Sequence, residues 1–570
     1  MAEQMPYLNP ELPVDERVED LLGRMTLEEK VGQLTQLDGR ENPEEALREK
    51  HVGSFLWIFG EETVKLQKMA EKTRLGIPLI FGIDAIRGHA FWPGATVFPT
   101  QLAMSCSWNP EVFERVGRVT ARETILTGPH WTFSPVCGTT RDLRWGRVDE
   151  TCGEDPYLIG EMVAAMVRGY QGSELSDPDS ILACPKHYAG YSETRGGRDA
   201  SEGDVTRRKL LSVFLPPFRA ACEAGAGSYM TAYQSIDGVP CTSNHWLLTE
   251  VLRDEWGFKG FVVTDWDNVG RMHWQQKVCA TMEEAAERAV KAGNDMMMST
   301  PDFWEGCLQA VHSGRLPEEA VDEACRRVLR MKFRLGLFED KRYPDMERAE
   351  EVIGCAEHVD YALEAARQSL VLLKNEGDLL PLGDDLESIA VVGPNADDVD
   401  AQFGDWALTS FHDRGAVHPR ENVKTVLDGI RQRADCEVSY QRGCHVMDPD
   451  DKDIEAAVKV AAEADLAVLV VGDTVALNGE CRDRATLDLT GAQEELLHAV
   501  HATGTPVVLV LINGKPLSIP WAAENVPAIL VAWNPGMAGG TAVAEVLFGD
   551  TNPCGKLTTS WPRHVGQQPV

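Results

Sequence analysis

The feature that most limits what this chain can become is a long alternation of short apolar runs with amphipathic stretches of helical period. Runs of strand length fall at Gly53–Phe59, Pro78–Asp84, Trp131–Cys137, Ile181–Tyr188, Ser228–Tyr233, Phe261–Trp266 and Asp295–Ser299. Patterns of helical period separate most of them, at Pro110–Leu126, Gly160–Gly169, Arg207–Ala224, His245–Glu255 and Met282–Ala292. Upstream, Asp15–Met25 reads as a helix, and Thr26 followed by Glu29 forms a capping-box signature opening the next one. Repeated βα units of this kind predict a parallel sheet, because parallel neighbours need a crossover between them.

The ends of these runs favour a closed barrel. Asp84, Thr139–Arg141, Lys186–His187, Tyr233, Asp265 and Asn294–Asp295 put polar or charged residues where apolar runs stop. In a (β/α)8 barrel the strand C-termini converge on one face, where active sites are built. After Val328–Phe338 the chain turns polar, and a helix from about Cys355 to Leu373 leads into a second alternation. Its strands are expected at Ser388–Val392, Glu437–Gln441, Leu466–Gly472, Pro506–Ile512 and Ala528–Ala532, with helices such as Lys452–Ala464 and Ala492–Ala502 between them. The predicted fold class is therefore α/β: a TIM-like barrel over residues 1–345, a linker over 346–365, and an α/β sandwich with a mostly parallel open sheet over 366–570.

Charge narrows the choice of partners. Against 55 Lys and Arg stand 89 Asp and Glu, a formal charge of −34. Nucleic acid and anionic membrane surfaces are poor partners for such a chain, because phosphate binding needs a basic stripe. The N-terminus shows no basic-then-apolar signal segment, and no apolar stretch approaches the roughly 20 residues of a membrane span. Fourteen scattered cysteines with no CxxC pair read as reduced thiols, so a cytoplasmic location is expected. No HExxH or other metal-ligand spacing occurs, and GxGxxG, the P-loop and the GxSxG elbow are absent as well. Association into a homo-oligomer stays open.

What the strand ends do offer is the mixture that holds a sugar: carboxylates and cations for the hydroxyls, aromatic faces for the C–H surface. Asp84, Arg147, Lys186, His187, Tyr233, Asp265 and Trp266 supply it. Arg147 also reads as a salt-bridged structural arginine, His187 as a core histidine and Tyr233 as packing. Asp265 is harder to set aside, since a carboxylate directly after the apolar FVVT is costly to bury without a partner. Lys186 and His187 are neighbours, and on a regular strand they point to opposite faces. Both reach one ligand only if the backbone between Pro185 and Ala189 departs from regular strand geometry.

The ordered segments GIDAIRGH, CGTTRDLRWGR with GEDP, CPKHYAGY and GFVVTDWDNVGR resemble glycoside hydrolase family 3. ALNGECRDRATLDLTGAQEEL, LVLINGKPLSIPW and WNPGMAGGTAVAEVLFGDTNPCGKL extend the resemblance to the second half. It is greatest to the two-domain β-glucosidases, exo-glucanases and xylosidases. The resemblance implies Asp265 as catalytic nucleophile and Glu480 as general acid/base. It implies Asp84, Arg147, Lys186, His187, Arg198, Tyr233, Trp266 and Arg271 as sugar-holding residues, with Trp406 as a wall of the site. Many members continue into a fibronectin-type β-sandwich; the sequence ends at Val570, so that module is either absent or beyond this stretch. The N-acetylglucosaminidase branch, with its Asp/His dyad in the barrel and no second catalytic domain, is disfavoured.

The function implied is an exo-acting retaining β-glycosidase that releases terminal β-linked glucose from a glucoside or oligosaccharide. Two carboxylates about 5–5.5 Å apart carry such a reaction through a covalent glycosyl-enzyme, with no cofactor. A β-xylosidase is the alternative within the class. A family phosphorylase, with phosphate replacing water, is a minor one. A non-catalytic sugar-binding protein is the alternative outside the class, and retention of both carboxylates speaks against it.

Overall fold

The structure is a computed structural model that describes residues 5–383, 385–408 and 418–568. Eight parallel segments close a barrel in its first half. Thr35–Asp38, Ser54–Leu56, Ile80–Ile83 and Trp131–Thr132 pair in that order, and Thr35–Asp38 also pairs with Met297–Met298. Ser228–Met230 pairs with Phe261–Val263. Single parallel bridges complete the ring: Trp131 to Leu182, Val136 to Lys186, Tyr188 to Thr231, and Val263 to Met296. The run at 181–188 thus stands in the ring as an irregular segment held by bridges rather than as a continuous strand.

The strands are shorter than the apolar runs that encode them, because each run continues past the ladder into the loops above the barrel. Thr35–Asp38 escapes an apolar-run search, since its interior position is Gln36, whose side-chain amide donates to Ser54 Oγ at 2.8 Å. Asn294 and Asp295 lie before their strand, not after it. Asp295 is buried, accepts from Val262 N at 2.7 Å and is paired with Arg253 and Arg327 at 2.5 and 2.9 Å. That cluster belongs to the N-terminal face of the barrel and holds structure together.

Most helices fall where the pattern places them. Pro110–Leu126 is capped by Asn109 Oδ1 accepting from Glu111 N, and Thr26 with Glu29 forms the full capping box. The stretch Arg207–Ala224 is broken at Pro216 into Arg207–Lys209, a wider-wound turn at Leu210–Phe214, and Pro216–Glu223.

Residues 346–365, expected as a linker, are largely helical, in Met346–Val352 and Ala356–Ser369. This strut is pinned to both halves. His358 Nδ1 meets the buried Glu123 of the barrel at 2.7 Å, and Arg367 meets Glu545 of the second domain at 2.6 Å.

The second domain is a six-stranded sheet. From one edge its strands run Val371–Asn375, Ala528–Val531, Val507–Ile512, Leu466–Gly472, Ser388–Val392 and Glu437–Gln441. All neighbours are parallel except the first pair. Its central strands, LAVLVVG and VVLVLI, are buried throughout, as expected for a sheet covered on both faces. The antiparallel edge strand Val371–Asn375 corrects the expectation of a helix running to Leu373; that helix stops at Ser369. All fourteen cysteines are free, and only Cys481 and Cys554 are exposed.

Candidate active site

A pocket of about 260 Å³ opens above the C-terminal ends of the barrel strands, against the second domain. Asp84 follows Ile80–Ile83 directly, Tyr233 lies three residues past Ser228–Met230, and Asp265 two past Phe261–Val263. Arg147 enters from the long loop after Trp131–Thr132, and Trp406 and Glu480 enter from the second domain. Nine of the expected residues line this one pocket: Asp84, Arg147, Lys186, His187, Tyr233, Asp265, Trp266, Trp406 and Glu480.

The peptide bonds Lys186–His187 and Tyr188–Ala189 are cis, so the backbone between Pro185 and Ala189 does depart from regular strand geometry. Both side chains reach the pocket. Lys186 Nζ pairs with Asp84 Oδ1 at 2.8 Å and sits 4.9 Å above the Trp406 ring, so cation, carboxylate and aromatic face form one corner.

Asp265 is 7% exposed. Its Oδ1 accepts from Trp266 N at 2.7 Å, while Oδ2 has no hydrogen-bond partner among the described residues. Burial raises its pKa above the usual carboxylate range, and the cations Arg147 and Lys186 oppose that rise. His187 Nε2 lies 3.5 Å from Oδ2, but burial, with Arg147 and Lys186 nearby, holds this imidazole well below its usual pKa. A neutral ring makes no ion pair with Asp265. Tyr233 stands beside the same carboxylate, and burial together with that charge pushes its phenol up.

Arg147 ties the parts together. It is 1% exposed and grips Glu150 in two parallel bonds, Nε to Oε1 at 2.7 Å and Nη2 to Oε2 at 2.9 Å. Nη2 also lies 3.2 Å from His187 Nε2, and Nη1 lies 3.3 Å from Glu480 Oε1. A planar guanidinium suits such convergent contacts in a way a lysine does not.

Glu480 sits in the loop after Leu466–Gly472, at the mouth, with its side chain 30% exposed. Its backbone N–H donates to Asp405 Oδ2 at 3.2 Å. Gly479 before it has φ +116°, and a Cβ there would lie 1.9 Å from Asp405 Oδ2, so only glycine fits. Burial lifts the Glu480 pKa to about 7; Asp265, Asp199 and Glu150 add to the rise, and Arg147 opposes it. The pocket therefore pairs a buried carboxylate bearing an unsatisfied oxygen with a second carboxyl protonated near neutral pH. A nucleophile and a proton donor are what cleavage of an acetal needs.

Two expected residues stand elsewhere. Arg198 is exposed on the 192–200 loop and does not line the pocket. Arg271 lies behind the wall: its guanidinium covers the Tyr233 ring at 4.3 Å and bonds Gln275 Oε1 at 2.7 Å. Sequence reasoning missed Arg40, Trp57 and Met298, which also line the pocket. Arg40 follows the short strand that carried no apolar signal, and Trp57 reads as part of an apolar run. Among the described residues no cluster of three or more His, Cys, Asp or Glu side chains could hold a metal ion, and no helix is long and apolar enough to cross a membrane.

A TIM-like barrel and an α/β sandwich enclosing two carboxylates in a sugar-sized pocket define a two-domain glycoside hydrolase. Residues 26–331 match the glycosyl hydrolase family 3 N-terminal domain, and residues 370–570 match the family's C-terminal domain. The chain belongs to glycosyl hydrolase family 3 and is an exo-acting β-glycosidase.

It is 38% identical to a β-xylosidase of Formosa agariphila over 99% of this chain and 75% of that one. A β-glucosidase involved in saponin metabolism from intestinal bacteria is 49% identical, with TM-score 0.93 over 97% of this chain and 79% of that one. The β-glucosidase of Listeria innocua, solved in complex with glucose, is 35% identical with TM-score 0.89, over 98% of this chain and 77% of that one.

Proposed function

We propose that the protein removes a terminal β-linked glucose from small glucosides and oligosaccharides with retention of configuration. Asp265 Oδ2 attacks the anomeric carbon as the bond to the leaving oxygen breaks, and Glu480 delivers its proton to that oxygen. Glu480, now ionised, takes a proton from water, whose oxygen attacks the anomeric carbon and releases Asp265 as a carboxylate. The observation that carries this reading is the unpartnered Oδ2 of Asp265 in the pocket that Glu480 closes from the other domain. The pocket, at about 260 Å³, is slightly below the roughly 300 Å³ at which ordinary ligand pockets begin, which suits one terminal sugar.

Glucose is favoured over xylose by the likeness to β-glucosidases, including the one solved with glucose. Aryl β-D-glucoside, xyloside, galactoside and N-acetylglucosaminide offered side by side test the choice, with the glucoside expected to turn over fastest. No hydrolysis of any of them between pH 4 and 8 would overturn the reading. We further infer a reducing, cytoplasmic location, which the fourteen free thiols support; recovery of the enzyme from the periplasmic fraction of its own cells would refute it.

A further inference from the structure

The seam beside Glu480 is closed by two carboxylates that cross it in opposite directions. Asp199, on a barrel loop, accepts from Cys481 N with Oδ2 at 3.0 Å. Asp483, on the Glu480 loop, accepts from Asp199 N at 2.7 Å and from Gly146 N at 2.8 Å. Asp199 is itself fixed in the barrel: Oδ1 accepts from the indole Nε1 of the buried Trp145 at 2.8 Å. Backbone contact is equally close. Gly479 N donates to Gly146 O at 2.7 Å, and a Cβ on Gly146 would lie 2.1 Å from Gly479 O.

We propose that Asp199 is a positioning residue for the acid/base: its carboxylate holds the peptide that follows Glu480 and places a negative charge beside the Glu480 carboxyl. This rests on Glu480 being the acid/base. The hydrogen bond alone would make Asp199 structural. Its charge gives it a second effect, because a neighbouring anion favours the protonated form of a carboxyl. Around Glu480 stand Arg147 and Glu150 from one turn, Tyr191 and Asp199 from the next loop, Tyr233 and Asp265 from two strand ends, and Cys481 from its own loop. Asp265, Asp199 and Glu150 push its pKa up, and Arg147 alone among the charges named for it pulls it down. Asp265 is the nucleophile, Glu150 is locked to Arg147, and Asp405, which accepts from Glu480 N, is paired with Arg482 at 2.9 Å. Asp199 accepts only from N–H groups, so it is the anion that acts on the proton donor.

The test compares Asp199→Asn, Asp199→Glu and Asp483→Asn with the unaltered enzyme and with Glu480→Ala, each checked by thermal unfolding. The substrates are methyl β-glucoside, whose leaving group needs a proton, and 2,4-dinitrophenyl β-glucoside, whose leaving group does not. Asp199→Asn should lose roughly 10- to 100-fold in kcat/KM on the first and under about threefold on the second, within the range general acid help supplies. Its alkaline limb should move to lower pH. Asp199→Glu and Asp483→Asn keep the charge beside Glu480 and should keep the alkaline limb, whatever they lose in rate. Equal losses on both substrates with an unmoved limb in Asp199→Asn, or no loss at all, would overturn the proposal. If Asp199→Asn does not fold, an alkaline limb in Asp199→Glu that shifts as far as the methyl glucoside rate falls would overturn it, and an unmoved limb would support it. Should Glu480→Ala show no dependence on the leaving group, it is the assignment of Glu480 that fails instead.

Discussion

Arg147 Nη1 lies 3.3 Å from Glu480 Oε1, although the arginine belongs to the barrel and the glutamate to the sandwich domain. The same guanidinium touches His187, which stands against Asp265. The two carboxylates, Asp265 and Glu480, are therefore referred to one buried cation, and the two domains meet through it.

Kinetics of two variants separate the carboxylates. Asp265→Ala removes the attacking oxygen and should abolish turnover of every substrate, activated or not. Glu480→Ala should spare glycosylation by a dinitrophenyl glucoside and let the glycosyl-enzyme accumulate. Added azide, which needs no general base, should restore turnover and yield the β-glycosyl azide; an α-azide would contradict retention.

Activity should follow a bell against pH. The donor works while Glu480 is protonated, so kcat/KM should fall as pH rises through about 7. The nucleophile works while Asp265 is ionised, so the acid limb should lie above the usual aspartate range, because burial raises that pKa. The two groups interact, so the limbs report the pair rather than either residue. A profile flat from pH 5 to 9 would contradict both assignments.

Arg147→Met should shift the alkaline limb upward, because the cation that opposes the rise in the Glu480 pKa is gone. It should also leave Glu150 buried without its partner, which for such pairs costs about 3–5 kcal/mol. Chemical denaturation measures the second effect and the pH–rate profile the first.

Gly479→Ala places a methyl group 1.9 Å from Asp405 Oδ2 at a backbone angle that side chains rarely adopt. The loop must shift, and Glu480 with it. Hydrolysis of methyl β-glucoside should drop at least about 100-fold, the scale of lost general acid help, while far-ultraviolet circular dichroism stays unchanged.

How far the sequence reveals this molecule depends on what each part is made of. The sandwich strands Ser388–Val392 and Leu466–Gly472 coincide with their expected bounds, because strands in a covered parallel sheet are written as runs bounded by polar residues. The half-exposed edge strand Glu437–Gln441 coincides through its alternation of polar and apolar residues. Val371–Asn375 was hidden because its apolar residues continue the pattern of the helix before it, and Thr35–Asp38 because its interior is polar. Asp265 stands out from its surroundings: a carboxylate after an apolar strand. Glu480 does not, since one glutamate in a loop of an acidic chain has no local mark, and only the resemblance to family 3 singles it out. Arg198 belongs to the same resemblance, yet the loop that carries it turns it outward.

The thiols have a consequence for following this enzyme in solution. Cys481 and Cys554 are exposed, three others are half-buried, and nine are buried, eight of them in the barrel and Cys444 in the sandwich. A thiol reagent should reach Cys554 readily, Cys481 more slowly because burial and the carboxylates beside it push its thiol up to about 11, and the nine buried thiols only as their surroundings open. Cys481 adjoins Glu480 in the chain, so its labelling rate registers the setting of the loop that carries Glu480. The slow remainder registers chiefly the breathing of the barrel, with Cys444 reporting on the sandwich, without any probe having to be introduced.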